Sequence, residues 1–311
     1  MSAAPVHHPV YVDGDGALLD VAEAIAADWA GLGVRGSFLA RNLDTGEQLG
    51  FDVEEMMPLA SVVKVPLALV VLDRIAAGAL DPAHPVTLDP ARSSVGHTGL
   101  AAFRYPATVA VGDLLLQMLA VSDNAAADAL LDLVPVADVE ARLRAWGCGD
   151  IRMRHRLNHM YECAAGAAAH DFSLALELAV RDERTGRPTI ATLDPAYANV
   201  GSAAALVELV GRVWCDEISV PGATAELRRL MGLQVFTHRL ASELRADTLR
   251  WSGKTGTFLH LRHEIGVVEA ESGDRVAMAA LTRTGRCAGL APDVDLAIGV
   301  AGREAFEALR R

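Results

Sequence analysis

The feature that most constrains the fold of this chain is an apolar run, Leu59-Ala60-Ser61-Val62-Val63-Lys64-Val65-Pro66, which continues to Leu72. Between Ser61 and Leu72 only Lys64 carries a charge. A helix with so little polar surface must be covered on most sides, which places it at the centre of a domain. The chain has 311 residues, of which 51% are hydrophobic and 22% charged, enough for such a core in one large domain or in two lobes.

Ser61 and Lys64 form an S-x-x-K pair in the first turn of this predicted helix. Residues three positions apart share a helix face, so the Lys64 amine lies within reach of the Ser61 hydroxyl. Loss of hydration favours a neutral amine, and a neutral amine can activate a hydroxyl nucleophile. The simpler alternative is a helix N-cap followed by a snorkelling lysine, and S-x-x-K alone favours that alternative because the pattern is common.

Two more polar clusters stand at the ends of predicted elements. Ser122-Asp123-Asn124 separates two helical segments, and Lys254-Thr255-Gly256 lies on a strand. Taken alone, the first cluster is more typical of a helix cap than of a reactive site. The second supplies a cation and a hydroxyl that suit a substrate carboxylate, but it is also an ordinary way to end a strand.

Hydrophobic periodicity and turn residues predict a chain of mixed helices and strands. We expect helices over 18–29, from Ser61 to near Gly78, and over 111–121, 125–133, 136–146, 171–182, 202–214, 224–232 and 294–309. We expect strands over 34–43, 85–88, 249–257, 263–270 and 274–282, with hairpin turns at 44–47 and 271–273. The stretches 148–170 and 183–200 lack periodicity and are interpreted as irregular.

Charge and cysteine content narrow the class of partner. The net charge of −12 argues against nucleic acid or an anionic membrane, since both require basic surfaces. The cysteines (Cys148, Cys163, Cys215 and Cys287) show neither a C-x-x-C pair nor the spacing of metal ligands, so we expect free buried thiols and no metal or cofactor. The first residues lack the pattern of a secretory signal, and the apolar run 65–72 is too short to span a bilayer. We therefore expect a soluble cytoplasmic protein, of open oligomeric state.

The order of the three clusters is more specific than any one of them. S-x-x-K at Ser61, then Ser122-Asp123-Asn124, then Lys254-Thr255-Gly256 resembles the signature of the class A β-lactamase-like serine hydrolases, in the β-lactamase and penicillin-binding protein superfamily. The likeness extends from about Val34 to Thr282. It includes a glycine-rich element at 96–100 and the segment 234–240, which precedes the third cluster in the sequence.

The resemblance implies an α/β (α+β) fold of β-lactamase/transpeptidase type. An antiparallel sheet flanked by helices would form one lobe, from about 1–59 and 216–311, and an all-helical lobe would span about 60–215. The two lobes would make a single β-lactamase-like domain over 1–311, with the site in the cleft between them.

The resemblance also implies a role for each catalytic residue. Ser61 would be the acylated nucleophile and Lys64 its base or proton relay. Ser122 would pass a proton to the leaving nitrogen, and Asn124 would hold Lys64 and the substrate amide. Asp123 is better explained as a structural cap of the next turn.

Substrate binding would fall to the third cluster and its surroundings. Lys254 and Thr255 would bind a substrate carboxylate, and the backbone N–H groups of Ser61 and Thr257 would form the oxyanion hole. For a second carboxylate-binding cation the candidates are Arg262 and His263, although His263 is equally typical of a satisfied histidine within a sheet.

One departure from the family pattern concerns deacylation. The family's β-lactamases use a glutamate after the second cluster to activate water, but here the region 152–163 does not follow the pattern. Glu162 is the only acidic residue between Asp150 and Asp171, so it is the candidate base, with a surface carboxylate as the equal alternative. The stretch 163–200 also looks longer than the family's usual loop.

These observations predict a serine acyl hydrolase that opens a β-lactam or related amide through an acyl-enzyme on Ser61. Its substrate would be a small molecule that bears a carboxylate. One alternative is a related peptidase, esterase or acyltransferase that acts on a different small molecule. The other is a penicillin-binding-like domain that acylates and stalls, as loss of the deacylation base would cause.

Overall fold

The computed structural model describes residues 10–287 and 289–310. Six strands form an antiparallel sheet: β1 (Val10–Asp13), β2 (Val34–Asn42), β3 (Gln48–Phe51), β8 (Leu249–Phe258), β9 (Leu261–Ala270) and β10 (Arg275–Thr284). Their order across the sheet is β1-β3-β2-β10-β9-β8. Two small pairs complete the strands described: β4 (Met57–Pro58) with β7 (Val200–Gly201), and β5 (Pro85–Leu88) with β6 (Ala107–Ala110).

Helices cover both faces of the sheet. The helices described are α1 (Gly16–Gly31), α2 (Lys64–Ala76), α3 (Val111–Ala120), α4 (Asn124–Leu133), α5 (Val136–Ala145), α6 (Leu157–Ala167), α7 (Phe172–Thr185), α8 (Ala203–Trp214), α9 (Pro221–Met231) and α10 (Pro292–Leu309). A 3₁₀ turn, Ala60–Val63, leads directly into α2.

The sheet separates two apolar cores. On one face α1 and α10 cover an aromatic cluster in which the Trp29 and Phe51 rings meet edge to face, with centroids 5.2 Å apart. On the other face α8 packs on β10 and β2, and the core continues without a break into α2 and its neighbours. The expected lobe bounds stay a prediction, because the apolar packing does not stop at them.

The predicted central helix is confirmed. Every residue from Val65 to Leu72 is buried, and α2 packs against α9, α5 and α3. Burial of a long aliphatic run is the largest favourable term available to such a chain, so this helix anchors the helical part of the fold.

The prediction of irregular structure over 148–170 is wrong at α6. The side chain of Asp128, on α4, accepts hydrogen bonds from the backbone N–H groups of Leu157 (2.7 Å) and Asn158 (2.9 Å). This carboxylate stabilises the first turn of α6 from 29 residues away, so no local cap was visible in the sequence. Strand β1 was also not predicted.

The cysteines are free, but only Cys148 is buried, and the expectation of burial is wrong for Cys287, which is exposed in the segment before α10.

Among the described helices none is long and apolar enough by itself to cross a membrane. The bent pair of α6 and 172–183 passes a test of length and composition, with a 90° bend between the two.

Candidate active site

The Ser61 side chain lies in the 3₁₀ turn that precedes α2. It makes no capping hydrogen bond to that turn; instead its Oγ accepts a hydrogen bond from Lys64 Nζ at 3.1 Å. The geometry therefore supports the serine–amine pair rather than the simple N-cap.

Lys64 is the centre of a hydrogen-bonded cluster and has no exposed surface. Besides Ser61, its Nζ contacts the carbonyl oxygen of Ser122 at 2.6 Å, the Oγ of Ser122 at 3.3 Å and the Oδ1 of Asn124 at 2.7 Å. Burial lowers the pKa of Lys64 to about 7, although the negative charges of Asp123 and Asp128 act to raise it. About half of the amine is thus neutral at neutral pH and able to accept the hydroxyl proton of Ser61.

The second cluster is held in place by Asp123. Its carboxylate accepts from the backbone N–H groups of Ala125 (2.9 Å) and Ala126 (3.2 Å), which confirms it as the cap of α4. The same carboxylate accepts from Leu100 N at 2.5 Å. Gly99 is required beside it, because this residue has a φ of +60° and a Cβ there would collide with the Asp123 carboxylate.

The third cluster lies on β8, the edge strand of the sheet, directly against the Ser61 turn. A Cβ on Gly256 would lie 2.9 Å from the carbonyl oxygen of Leu59 and 3.2 Å from Val62 N, so only glycine allows this approach. Lys254 is fully buried and its Nζ donates to Thr255 O at 2.8 Å. Burial, together with the nearby charge of Lys64, lowers the pKa of Lys254 well below its usual value.

The Thr255 and Thr257 side chains are both engaged by residues that the sequence analysis did not single out. Gln234 Oε1 accepts from Thr255 N (2.5 Å) and from Thr255 Oγ1 (3.1 Å). Arg239 donates to Thr257 Oγ1 (2.8 Å) and to the carbonyl oxygen of Gly256 (3.0 Å). A buried arginine or glutamine that hydrogen-bonds to a strand produces no periodic pattern in the sequence. Only the family likeness of 234–240 pointed to this segment.

Arg262 is not placed to bind a substrate carboxylate. Only 2% of its surface is exposed, and its guanidinium donates to the carbonyl oxygens of Leu259 (2.7 Å), Leu261 (2.8 Å) and Gly289 (2.9 Å). The register does pair Arg262 with Thr257, but the side chain serves the β8–β9 hairpin instead.

His263 is a satisfied histidine of the sheet. Its Nδ1 accepts from Thr282 N at 2.9 Å, so Nε2 carries the proton and donates to Pro58 O at 2.9 Å. Burial lowers its pKa to about 3, which leaves it neutral and removes it as a carboxylate-binding cation.

Glu162 lies on α6 with 63% of its side chain exposed. Its Oε1 accepts from Asn158 Nδ2 at 2.8 Å, and Oε2 is 3.5 Å from His159 Nδ1. The neighbouring Tyr161 points to the site strand instead, with its ring edge to face on Phe258 at 5.5 Å between centroids.

Glu162 is joined to the Lys64 cluster only through intermediates. Asn124 Nδ2 donates to Val95 O at 2.8 Å, and Val95 N donates to Asn158 Oδ1 at 3.0 Å. Asn158 in turn binds Glu162. The structure thus brings Ser61, Lys64, Ser122 and Asn124 into direct contact and leaves the Glu162 carboxylate outside that group of contacts.

Comparison with known proteins identifies the family of the chain. A model of the β-lactamase enzyme family matches residues 20–309. The β-lactamase regulatory protein BlaB of Streptomyces cacaoi is 41% identical over 292 residues, which cover 89% of this chain and 94% of that protein.

Solved structures give the same fold at low identity. A β-lactamase from Sphaerobacter thermophilus superposes with a TM-score of 0.75 at 20% identity, over 93% of this chain and 96% of that one. An ancestral class A β-lactamase gives 0.75 at 21% identity (93% and 99%), and PBP-A gives 0.74 at 17% (94% and 94%). These neighbours confirm the predicted fold class. The chain belongs to the β-lactamase enzyme family.

Proposed function

We propose that this protein forms an acyl-enzyme on Ser61 with a small cyclic amide such as a β-lactam, and releases the product slowly. The observation that carries the proposal is the contact of Lys64 Nζ with the hydroxyls of Ser61 and Ser122 and the amide of Asn124. A half-neutral amine in that position provides everything that the acylation step requires from a base.

The acylation step then proceeds as a proton relay. Neutral Lys64 takes the proton of the Ser61 hydroxyl while Oγ bonds to the carbonyl carbon of the amide. The backbone N–H groups of Ser61 and Thr257 stabilise the oxyanion. As the C–N bond breaks, Lys64 returns the proton through the Ser122 hydroxyl to the leaving nitrogen, so the amine regains its starting state.

Lys254 gives the site its preference for an anion. This amine is fully buried beside a second lysine, and Thr255 O is its one acceptor among the hydrogen bonds of the described residues. A substrate carboxylate would favour the charged form of this amine, whose remaining N–H donors would bind it.

Slow release follows from the position of Glu162. Hydrolysis of the acyl-enzyme requires a water held against the ester by a base, and removal of a positioned base slows such a step by ~10²–10⁴. The Glu162 carboxylate is exposed and bound to Asn158 rather than to the Ser61 cluster. A long-lived adduct also suits a regulatory role, which is the role named for the Streptomyces cacaoi relative.

A second candidate is a β-lactamase with full turnover, in which Glu162 is the deacylation base. The hydrogen-bond chain from Asn124 through Val95 and Asn158 to Glu162 favours it, because this chain connects the Glu162 carboxylate to a side chain that contacts Lys64.

Intact mass spectrometry after mixing with a chromogenic cephalosporin distinguishes the two. A persistent adduct that Ser61→Ala abolishes supports slow release, whereas rapid colour change without adduct supports the β-lactamase. If only a fluorophosphonate labels Ser61, the protein is a related esterase or peptidase. If no reagent labels Ser61, the proposed acylation is wrong.

A further inference from the structure

Beneath the third cluster lies a buried polar relay that acylation does not use. It consists of Glu264 on β9, Gln234 in the segment after α9, and Thr255 on β8. Thr255 and Glu264 are directly opposite each other in the β8–β9 register, so their side chains share one face of the sheet. Glu264 has no exposed surface, and Gln234 and Thr255 are also buried.

The orientation of the Gln234 amide is fixed from both sides. Its Nε2 donates to Glu264 Oε1 at 3.2 Å, and its Oε1 accepts from Thr255 N at 2.5 Å. The reverse orientation would place the Gln234 amide N–H groups 2.5 Å from the Thr255 backbone N, so that two donors would face each other. Trp251 Nε1 (3.1 Å) and Ala241 N (3.4 Å) also donate to Glu264, so the carboxylate itself is held.

In this arrangement the Thr255 hydroxyl proton is already used in a hydrogen bond to Gln234. A threonine has one O–H proton, and here it is donated to Gln234 Oε1 at 3.1 Å. The same oxygen takes the Thr255 backbone N–H. Neither donor of Thr255 is therefore available to a substrate while Gln234 stays in place.

The segment that carries Gln234 also joins two parts of the site. Val235 N donates to Ala120 O at 3.0 Å, two residues before Ser122, while Gln234 contacts the third cluster through Thr255. The position of Gln234 is therefore fixed by the backbone as well as by its own side chain.

We propose that Gln234, held by Glu264, is a positioning residue that withholds Thr255 from the substrate, so that Lys254 alone binds a carboxylate. The inference rests on the proposed acylation of Ser61. It predicts a substrate class broader than carboxylated amides, because a single buried ammonium discriminates less than an ammonium and a hydroxyl together.

The test compares acylation rate constants for a chromogenic cephalosporin and its methyl ester, and takes their ratio as the selectivity for the carboxylate. Gln234→Leu removes the acceptor, frees the Thr255 hydroxyl and is expected to raise the ratio about tenfold, the size of one charge-assisted hydrogen bond. Adding Thr255→Val to Gln234→Leu is expected to abolish that gain. Val235→Ala is the matched control, since this residue is 60% exposed and its side chain is outside the relay, and its ratio should equal that of the wild type.

Two results would overturn the inference while leaving acylation intact: an unchanged ratio in Gln234→Leu, or a tenfold fall when Thr255→Val is made with Gln234 in place. The second result would show that Thr255 already binds the carboxylate. Failure of both probes to acylate the wild type would instead refute the proposed function.

Discussion

Replacement of Lys64 by arginine tests the central chemical claim, because arginine keeps the positive charge but does not release its proton near neutral pH. Lys64 contacts the hydroxyls of Ser61 and Ser122, and burial lowers its pKa from 10.5 to about 7. We expect Lys64→Arg to acylate Ser61 far more slowly than the wild type, with the rate no longer dependent on pH near neutrality.

The expected size of the loss follows from this pKa. At pH 7 an amine with the ordinary value of 10.5 is neutral in about one molecule in 3,000, whereas the buried amine is neutral in about half. A neutral amine of lower pKa is also a weaker base, so the acylation rate gains less than the full increase in the neutral fraction. A loss of ~10²–10⁴ in Lys64→Arg, the usual contribution of a positioned general base, is therefore the expectation.

The assay is the acylation rate of a chromogenic cephalosporin between pH 5 and 9, followed by intact mass. The wild-type rate should rise with pH and level off above about 7, as the amine loses its proton. Glu264 requires a control, because burial raises its pKa to about 7 as well, mainly against the attraction of Arg239. Glu264→Gln should keep the inflection near pH 7 in the plot of acylation rate against pH, and Lys64→Arg should lose it. An inflection that survives in Lys64→Arg and disappears in Glu264→Gln would refute the assignment of Lys64 as the base.

Two further predictions concern α6 and β8. Glu162→Gln should change the lifetime of the acyl-enzyme less than about threefold, as measured by decay of the adduct mass; an increase of a hundredfold or more would identify Glu162 as the deacylation base. Gly256→Ala should destabilise the fold by about 1–3 kcal/mol and slow acylation, because the new Cβ would press on Leu59 O at 2.9 Å. Thermal unfolding checks this, with Gly166→Ala as the control because its Cβ would meet nothing within 4 Å. A melting temperature of Gly256→Ala equal to that of the wild type would contradict the close approach of β8 to the Ser61 turn.

The Ser61–Lys64 pair was predictable because its geometry is local. Lys64 follows Ser61 by one helical turn, so spacing alone places the amine at the hydroxyl. Asp123 was predictable as a cap for the same reason, since it accepts from N–H groups two and three residues later. The order of the three clusters then supplied the fold by resemblance.

What could not be predicted depends on side chains that meet across the fold. Asp128 stabilises the start of α6 from α4, and Gln234 engages Thr255 from 21 residues away. Arg262 shows a different limit. Its position opposite Thr257 was inferable from pairing, but the direction of a long side chain is decided by the carbonyl oxygens around it.

The apolar run that determines the fold also produces the chemistry. Lys64 is the first residue of α2 and has no exposed surface, and every residue from Val65 to Leu72 behind it is buried, so the amine loses its hydration. Burial is accordingly the first cause of its lowered pKa, while Asp123 and Asp128 act against it. A base made in this way needs no partner carboxylate to activate it. The acylation half of the reaction can therefore be complete in a protein whose deacylation half is not, which is the combination that a long-lived acyl-enzyme requires.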